Sequence, residues 1–252
     1  MAHIFSVHSF RGGTGKSNTT ANLTAILAQR GLRVGVVDTD IQSPGIHVLF
    51  GMAEEAMKPT LNDYLWGNAP IAGCAHDVTA SVGGAVKGKI LLVPSSVKGG
   101  DIAKILREGY DVSLLNDGFQ SLIRDLSLDV LIIDTHPGLN EETLLSIAVS
   151  DALVLVMRPD QQDYQGTGVT VEIARRLKVP HIFLVVNKTP PQFDAQTVAE
   201  RVGSTYGLEV AAVLPHSDEM MVLASAGVFV AKYPEHAITG RLAHAADRLL
   251  QV

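Results

Sequence analysis

Ser9-Phe10-Arg11-Gly12-Gly13-Thr14-Gly15-Lys16-Ser17-Asn18 follows the apolar run Ile4-Phe5-Ser6-Val7 and leads into Ala21-Asn22-Leu23-Thr24-Ala25-Ile26-Leu27-Ala28. The first run predicts a buried strand, and the apolar spacing of the last predicts a helix. A glycine-rich loop between the two, closed by Gly-Lys-Ser, describes a phosphate-binding loop. Three glycines in four positions let backbone N–H groups turn inward around a polyphosphate, and the helix N-terminus adds partial positive charge. In this reading Gly12, Gly13, Thr14, Gly15, Lys16, Ser17 and Asn18 line the nucleotide. Lys16 reaches its terminal phosphates, and the Ser17 hydroxyl holds Mg²⁺. The strict motif wants glycine where this chain has Phe10, so the loop is a variant.

Outside the loop, hydrophobic residues make up 46% of the 252 positions and aromatics only 5%. Small aliphatic side chains dominate, as expected where helices pack closely on a parallel sheet. The balance of 26 acidic against 20 basic side chains gives a net charge of −6. That excludes a surface built wholly for nucleic acid. Cys74 is the single cysteine, which leaves no disulfide framework and no Cys-x-x-Cys pair for zinc or an iron–sulfur cluster. The chain opens on a strand with no basic, apolar leader pattern, and no apolar run approaches the ~18 residues of a membrane span. The expectation is a soluble, cytoplasmic protein.

In chain order, Arg33 to Val37 predicts a second buried strand, ending in Asp38-Thr39-Asp40. Residues 46–80 hold short helical stretches, and Gly83-Gly84 with Gly88 predicts a flexible loop over 81–89. Further strands are expected at 90–93, 130–133, 152–157, 181–186 and 209–214. Helices are expected at 101–109, 112–127, 141–149, 163–178, 194–206, 218–226 and 236–250. Apolar strands alternating with amphipathic helices predict an α/β fold, with a mostly parallel sheet covered by helices on both faces. No repeat or linker interrupts the pattern, so one P-loop NTPase domain is expected over 1–252.

Ligands of an open parallel sheet bind beyond the carboxyl ends of its strands. There the sequence places the glycine loop, Asp38 and Asp40, Asp134 with Pro137-Gly138, Asn187-Lys188 and Pro215-His216-Ser217-Asp218. Mg²⁺ keeps several waters, so Ser17 suffices as a direct ligand, with Asp134 and Asp38 acting through water. Asp40 is placed to orient an attacking water, since phosphoryl transfer needs positioning and charge neutralisation more than a strong base. His136 reads as a loop histidine without a catalytic part. Asn187-Lys188 is followed by Pro190 rather than by the carboxylate that reads guanine, which favours adenine.

Together these residues resemble the MinD/ParA family of deviant-Walker ATPases, over essentially the whole chain. The family's loop, x-Lys-Gly-Gly-x-Gly-Lys-[Ser/Thr], accommodates Phe10. Its Asp-x-Asp matches Asp38-Thr39-Asp40, and its switch-II element matches Asp134-Thr135-His136-Pro137-Gly138. Its adenine-side positions match Asn187 and Pro215. The resemblance implies an ATP-dependent homodimer with both nucleotides at its interface. Hydrolysis, accelerated by a protein partner, separates the two copies, and the cycle positions a cell-scale cargo. Asp40 then activates water, Lys16 binds phosphate, and Asp160 lies near the dimer interface.

The departure is at Arg11, where the family carries its signature lysine. Arginine keeps the charge but is planar, bulkier and less hydrated. Inside a phosphate loop it is expected to reach the partner's phosphates in trans. Beyond the dimer, nonspecific DNA is a candidate partner through Arg175-Arg176-Lys178 or through Lys232, Arg241 and Arg248. A membrane is disfavoured, because the C-terminal stripe Ile238, Leu242, Ala245 and Leu249 lacks an aromatic and Asp247 interrupts its basic face. Two rival readings stand beside the switch: a small-molecule kinase or synthetase on the same fold, and a nucleotide-dependent scaffold with little hydrolysis. A cluster carrier would need more than one cysteine. Arg11→Ala is expected to retain ATP binding and lose ATP-dependent dimerisation; light scattering showing a normal ATP dimer would remove the trans role.

Overall fold

The computed structural model describes residues 2–83, 86–223 and 225–252. Its strands are β1 (His3–His8), β2 (Arg33–Asp38), β3 (His76–Asp77), β4 (Lys89–Val93), β5 (Val130–Asp134), β6 (Ala152–Met157), β7 (His181–Thr189) and β8 (Glu209–Pro215). They form one sheet in the order β3-β4-β2-β5-β1-β6-β7-β8. Every pairing is parallel except that of the short β3 with β4. All five residues of β5 and all six of β6 are buried, which is why these strands read as unbroken apolar runs rather than alternating ones.

Alternate side chains of each strand supply opposite faces. Phe5, Val7, Val36, Ile132 and Val154 join a core with the Lys16–Gln29 and Ala237–Leu249 helices. Across the sheet, Ile4, Val37, Leu131 and Ile133 pack on Leu115, Phe119 and Leu122 of the Ser113–Asp125 helix. Leu153, Leu155 and Leu184 pack on the Gln161–Arg176 and Ala195–Tyr206 helices. The C-terminal stripe Ile238, Leu242, Ala245 and Leu249 is buried in the first of these cores. A fully buried aliphatic side chain of this kind contributes about 1.5–3 kcal/mol, so the stripe serves docking within the chain.

This topology fixes where a ligand can sit. The connection leaving β1 runs past β5 to β2, whereas the one leaving β5 runs back past β1 to β6. Departure in opposite directions opens a crevice at the carboxyl ends of adjacent strands. The glycine loop and Asp134 end the two strands that flank it.

Some expected boundaries move. β7 continues to Thr189, so Asn187 and Lys188 lie in its irregular end rather than after it, with a register shift between Val186 and Thr189 and Lys188 at φ 55°. Pro215 likewise closes β8 instead of following it. β3, only His76 and Asp77, was not expected, because two polar residues carry no strand periodicity. The helix expected over 218–226 spans Asp218–Leu223, and Ala224 lies outside the described residues, as does Gly84 of the expected flexible loop.

Gly35 in β2 has no room for a side chain: a Cβ would stand 2.5 Å from Leu128 Cδ1 and 3.0 Å from Leu131 Cδ1. Gly35→Val is therefore expected to destabilise the fold by about 2 kcal/mol through overpacking. Urea unfolding should show a lower midpoint with an unchanged slope.

Candidate functional site

The glycine loop is held from behind. Gly13 and Gly15 stand at φ +79° and +96°, the left-handed region that favours glycine. A side chain at Gly15 would also run into Asn187 Nδ2. That amide donates to the Thr14 carbonyl at 2.8 Å, and Lys188 Nζ donates to the Gly13 carbonyl at 2.8 Å. Asn187 Oδ1 accepts from the Lys188 N–H at 2.8 Å, which fixes its amide orientation. The irregular end of β7 thus shapes the loop by binding its carbonyls and leaving its N–H groups to the other side. There the space is open, for a Cβ at Gly12 or Gly13 would meet nothing within 4 Å. Thr14 Oγ1 is buried without a partner. An open cradle of N–H groups at a helix N-terminus, with an orphaned hydroxyl, fits phosphate oxygens.

Beneath the cradle, Lys16 Nζ lies 2.9 Å from Asp134 Oδ1, both side chains buried. Thr20 Oγ1 donates to the same carboxylate oxygen at 2.8 Å, and the Thr39 N–H donates to the Asp134 carbonyl at 2.9 Å. The register of β2 on β5 sets Asp38 beside Asp134. Asp38 Oδ1 accepts from the Asp40 N–H at 3.0 Å and Oδ2 from the Gly45 N–H at 3.2 Å. Burial first, and the neighbouring Asp134 second, push its carboxyl up to about 8 against the pull of Lys16. Asp40 is also buried and accepts from the Ser43 N–H at 3.0 Å. Burial raises its carboxyl too, while Lys16 and His136 oppose the shift. His136 Nε2 stands 3.8 Å from Asp40 Oδ1.

His8 was not among the expected site residues. It is fully buried at the end of β1, its Nδ1 2.7 Å from Thr135 Oγ1. Thr135 gives its own proton to the Val7 carbonyl at 3.1 Å, so His8 Nδ1 is the donor. Burial, then Lys16 and His136, hold its imidazole down to about 3. It is a neutral brace between β1 and the loop after β5. The visible signal was a histidine closing an otherwise apolar run just before the glycines.

Arg11 is turned back onto its own chain. Its Nη1 lies 3.2 Å from Asp163 Oδ1 and 3.6 Å from Asp160 Oδ1. Arg158 grips the same two carboxylates at 3.1 and 3.3 Å. Asp160 was expected near the dimer interface, whereas Asp163 and Arg158 were not singled out. Phe10 lies over Gly166 of the Gln161–Arg176 helix, where a Cβ would collide with the ring. Of the remaining expected residues, Ser17 Oγ is 3.4 Å from Lys16 Nζ, the Asn18 carbonyl accepts from Asn22 Nδ2, and Pro215 ends the edge strand β8.

No group of three His, Cys, Asp or Glu side chains gathers as metal ligands among the described residues. Asp38 spends both carboxylate oxygens on N–H donors, and Asp134 Oδ1 takes the Lys16 ammonium and the Thr20 hydroxyl.

Comparison with known proteins gives the family and the fold. The ParA family, described as "NUBPL iron-transfer P-loop NTPase", matches residues 1–250. An uncharacterized ATP-binding protein of Methanocaldococcus jannaschii is 27% identical over 99% of this chain and 88% of its own. An iron-sulfur cluster carrier protein of Pseudomonas fragi is 30% identical over 90% of this chain and 77% of its own. Among solved structures, the cell division ATPase MinD of Pyrococcus furiosus superposes with a TM-score of 0.81, at 21% identity, covering 100% of this chain and 99% of that one. The septum site-determining protein MinD of Pyrococcus horikoshii, complexed with Mg-ADP, gives 0.79 at 21% identity, covering 99% and 96%.

The shifted carboxyl makes a pH prediction. Asp38 titrates near 8 when folded and at 3.8 when not, so across that span rising pH favours the unfolded chain. His8 acts oppositely, but only below its ordinary value of 6.5. Stability should therefore fall as pH rises from 6.5 to 8, by at most about 1.4 kcal/mol per pH unit. Urea midpoints should show that slope in the parent and a flatter one in Asp38→Asn; equal slopes would contradict the assignment.

Proposed function

The chain belongs to the ParA family of P-loop NTPases, and from that premise we propose that residues 1–252 form one Mg²⁺-dependent ATPase domain. It works as an ATP-dependent dimer switch that positions or partitions a cellular cargo. The observation that carries this reading is the buried Lys16–Asp134 pair directly under an open glycine cradle. A buried ammonium needs a counter-charge, and here it has one that a polyphosphate can supplement.

Bound ATP with Mg²⁺ supplies the phosphoanhydride and its metal-neutralised charge. Gly12 through Asn18 hold the phosphates, Ser17 meets the metal, and Asp38 and Asp134 support it through water. Asn187 and Pro215 flank the base. Asp40 orients the attacking water, and His136 lies against its carboxylate. Positioning without a strong base gives slow turnover that an activating protein partner speeds. Arg11 acts in trans after leaving Asp160 and Asp163. Arg158 stays on both carboxylates, so the departure of Arg11 does not leave the buried Asp163 carboxylate without a cation.

The names of similar proteins also include a cluster carrier, but clusters are held by thiolates. Cys74 is the one cysteine in the sequence, it is fully buried, and burial first of all pushes its thiol up to about 11. Cluster transport is therefore not the reading this chain supports. DNA binding loses support as well, because Arg175, Arg176, Arg241 and Arg248 engage Tyr206 O, Glu172, Val213 O and Glu209. Among the described residues no helix is long and apolar enough to cross a membrane.

Asp40→Ala should keep ATP binding, lower ATP turnover by about 100-fold, and accumulate as a dimer on size exclusion with ATP. Turnover and dimer lifetime equal to the parent's would exclude this route.

A further inference from the structure

The loops that carry Asp40 and His136 also wall a second hollow, a cavity of about 250 Å³. Its far side is formed by Ile105 of the Gly99–Glu108 helix and Tyr110 just after it. No residue of the Gly12–Asn18 loop lines it, so it is separate from the phosphate cradle. Part of the wall is apolar, through Ile41 and Ile105, and the rest is polar, through Tyr110, His136, Glu141 and Glu142.

Tyr110 Oη and His136 Nδ1 are both buried there, and His136 Nδ1 has no hydrogen-bond partner. Such an atom is costly to leave without a partner. With its proton on Nε2, toward the Asp40 carboxylate, His136 keeps Nδ1 as a lone-pair acceptor. The Tyr110 hydroxyl faces the Glu142 carboxylate, which accepts its O–H and leaves the phenol oxygen a lone-pair acceptor. Glu141 and Glu142 lie in the first turn of the Glu141–Ala148 helix, whose end contributes only about half a positive charge. No lysine or arginine lines the cavity. The hollow therefore presents acceptors, net negative charge and an apolar wall.

We propose that this cavity binds a small organic cation, an ammonium or guanidinium on a short apolar stem. The charged head lies against Glu142, Tyr110 Oη and His136 Nδ1, and the stem lies on Ile41 and Ile105. The binding itself stands apart from the ATPase reading and needs no nucleotide.

The test uses the nucleotide-free full chain with n-butylamine and agmatine as probes, and with butyrate at equal ionic strength as the control. Melting temperature should rise saturably with an amine and not with butyrate. Glu142→Gln should weaken the apparent affinity about tenfold, the worth of one charge-assisted hydrogen bond. Tyr110→Phe should weaken it less, and both variants should melt like the parent without probe. An Ala-Lys-Ala peptide forms a further arm. Saturation by the peptide but by neither free amine would overturn the small-molecule assignment. So would an equal response to butyrate, no saturable response to either amine, or unchanged affinity in Glu142→Gln.

Discussion

The ammonium of Lys16 and the carboxylate of Asp134, 2.9 Å apart and out of water, constrain everything around them. Removing either partner would leave a buried charge costing about 3–5 kcal/mol, so the helix after the glycine loop and the end of β5 are held together. Thr20 and Thr39 complete that attachment from the helix and from the end of β2. The same positive charge bears on the groups nearby. It helps keep His8 neutral and opposes the upward shift of Asp38 and Asp40. A site with three closely placed carboxyls in a dry crevice is tolerable because that lysine sits among them and because backbone N–H groups from Asp40, Ser43 and Gly45 supply the rest.

Much of this was readable from the chain. Glycines, a lysine and a serine between an apolar strand and a helix have few other physical uses, and the aspartates closing β2 and β5 follow unbroken apolar runs. These are local patterns, and the parallel sheet brings them together because its strands end on one edge. What was not readable depends on contacts across long sequence separations. Asn187 was placed after a strand, but it lies within β7, and its bond to the Thr14 carbonyl spans 173 residues of sequence. β3 is too short to carry a period. His8 is chemically meaningful only because Thr135 and Lys16 meet it in space.

Arg11 shows the same limit from another side. Its charge and its place in the loop predict attraction to phosphate, and nothing in the local sequence says where it rests otherwise. The structure gives it Asp160 and Asp163, shared with Arg158. Asp163 is buried and caps nothing alone; it also accepts from the Arg158 N–H at 2.9 Å. Two guanidinium groups on two carboxylates let one leave without the other losing its geometry, a property a single ion pair lacks.

Phe10, the residue that makes the loop a variant, lies flat against a helix position that has no side chain. The two sites are 156 residues apart in the chain and yet share one space. A side chain at 166 could enter only if the partly exposed ring swung out toward solvent. The variant loop position and the helix glycine are thus one steric unit, and a change at either sets what the other can be.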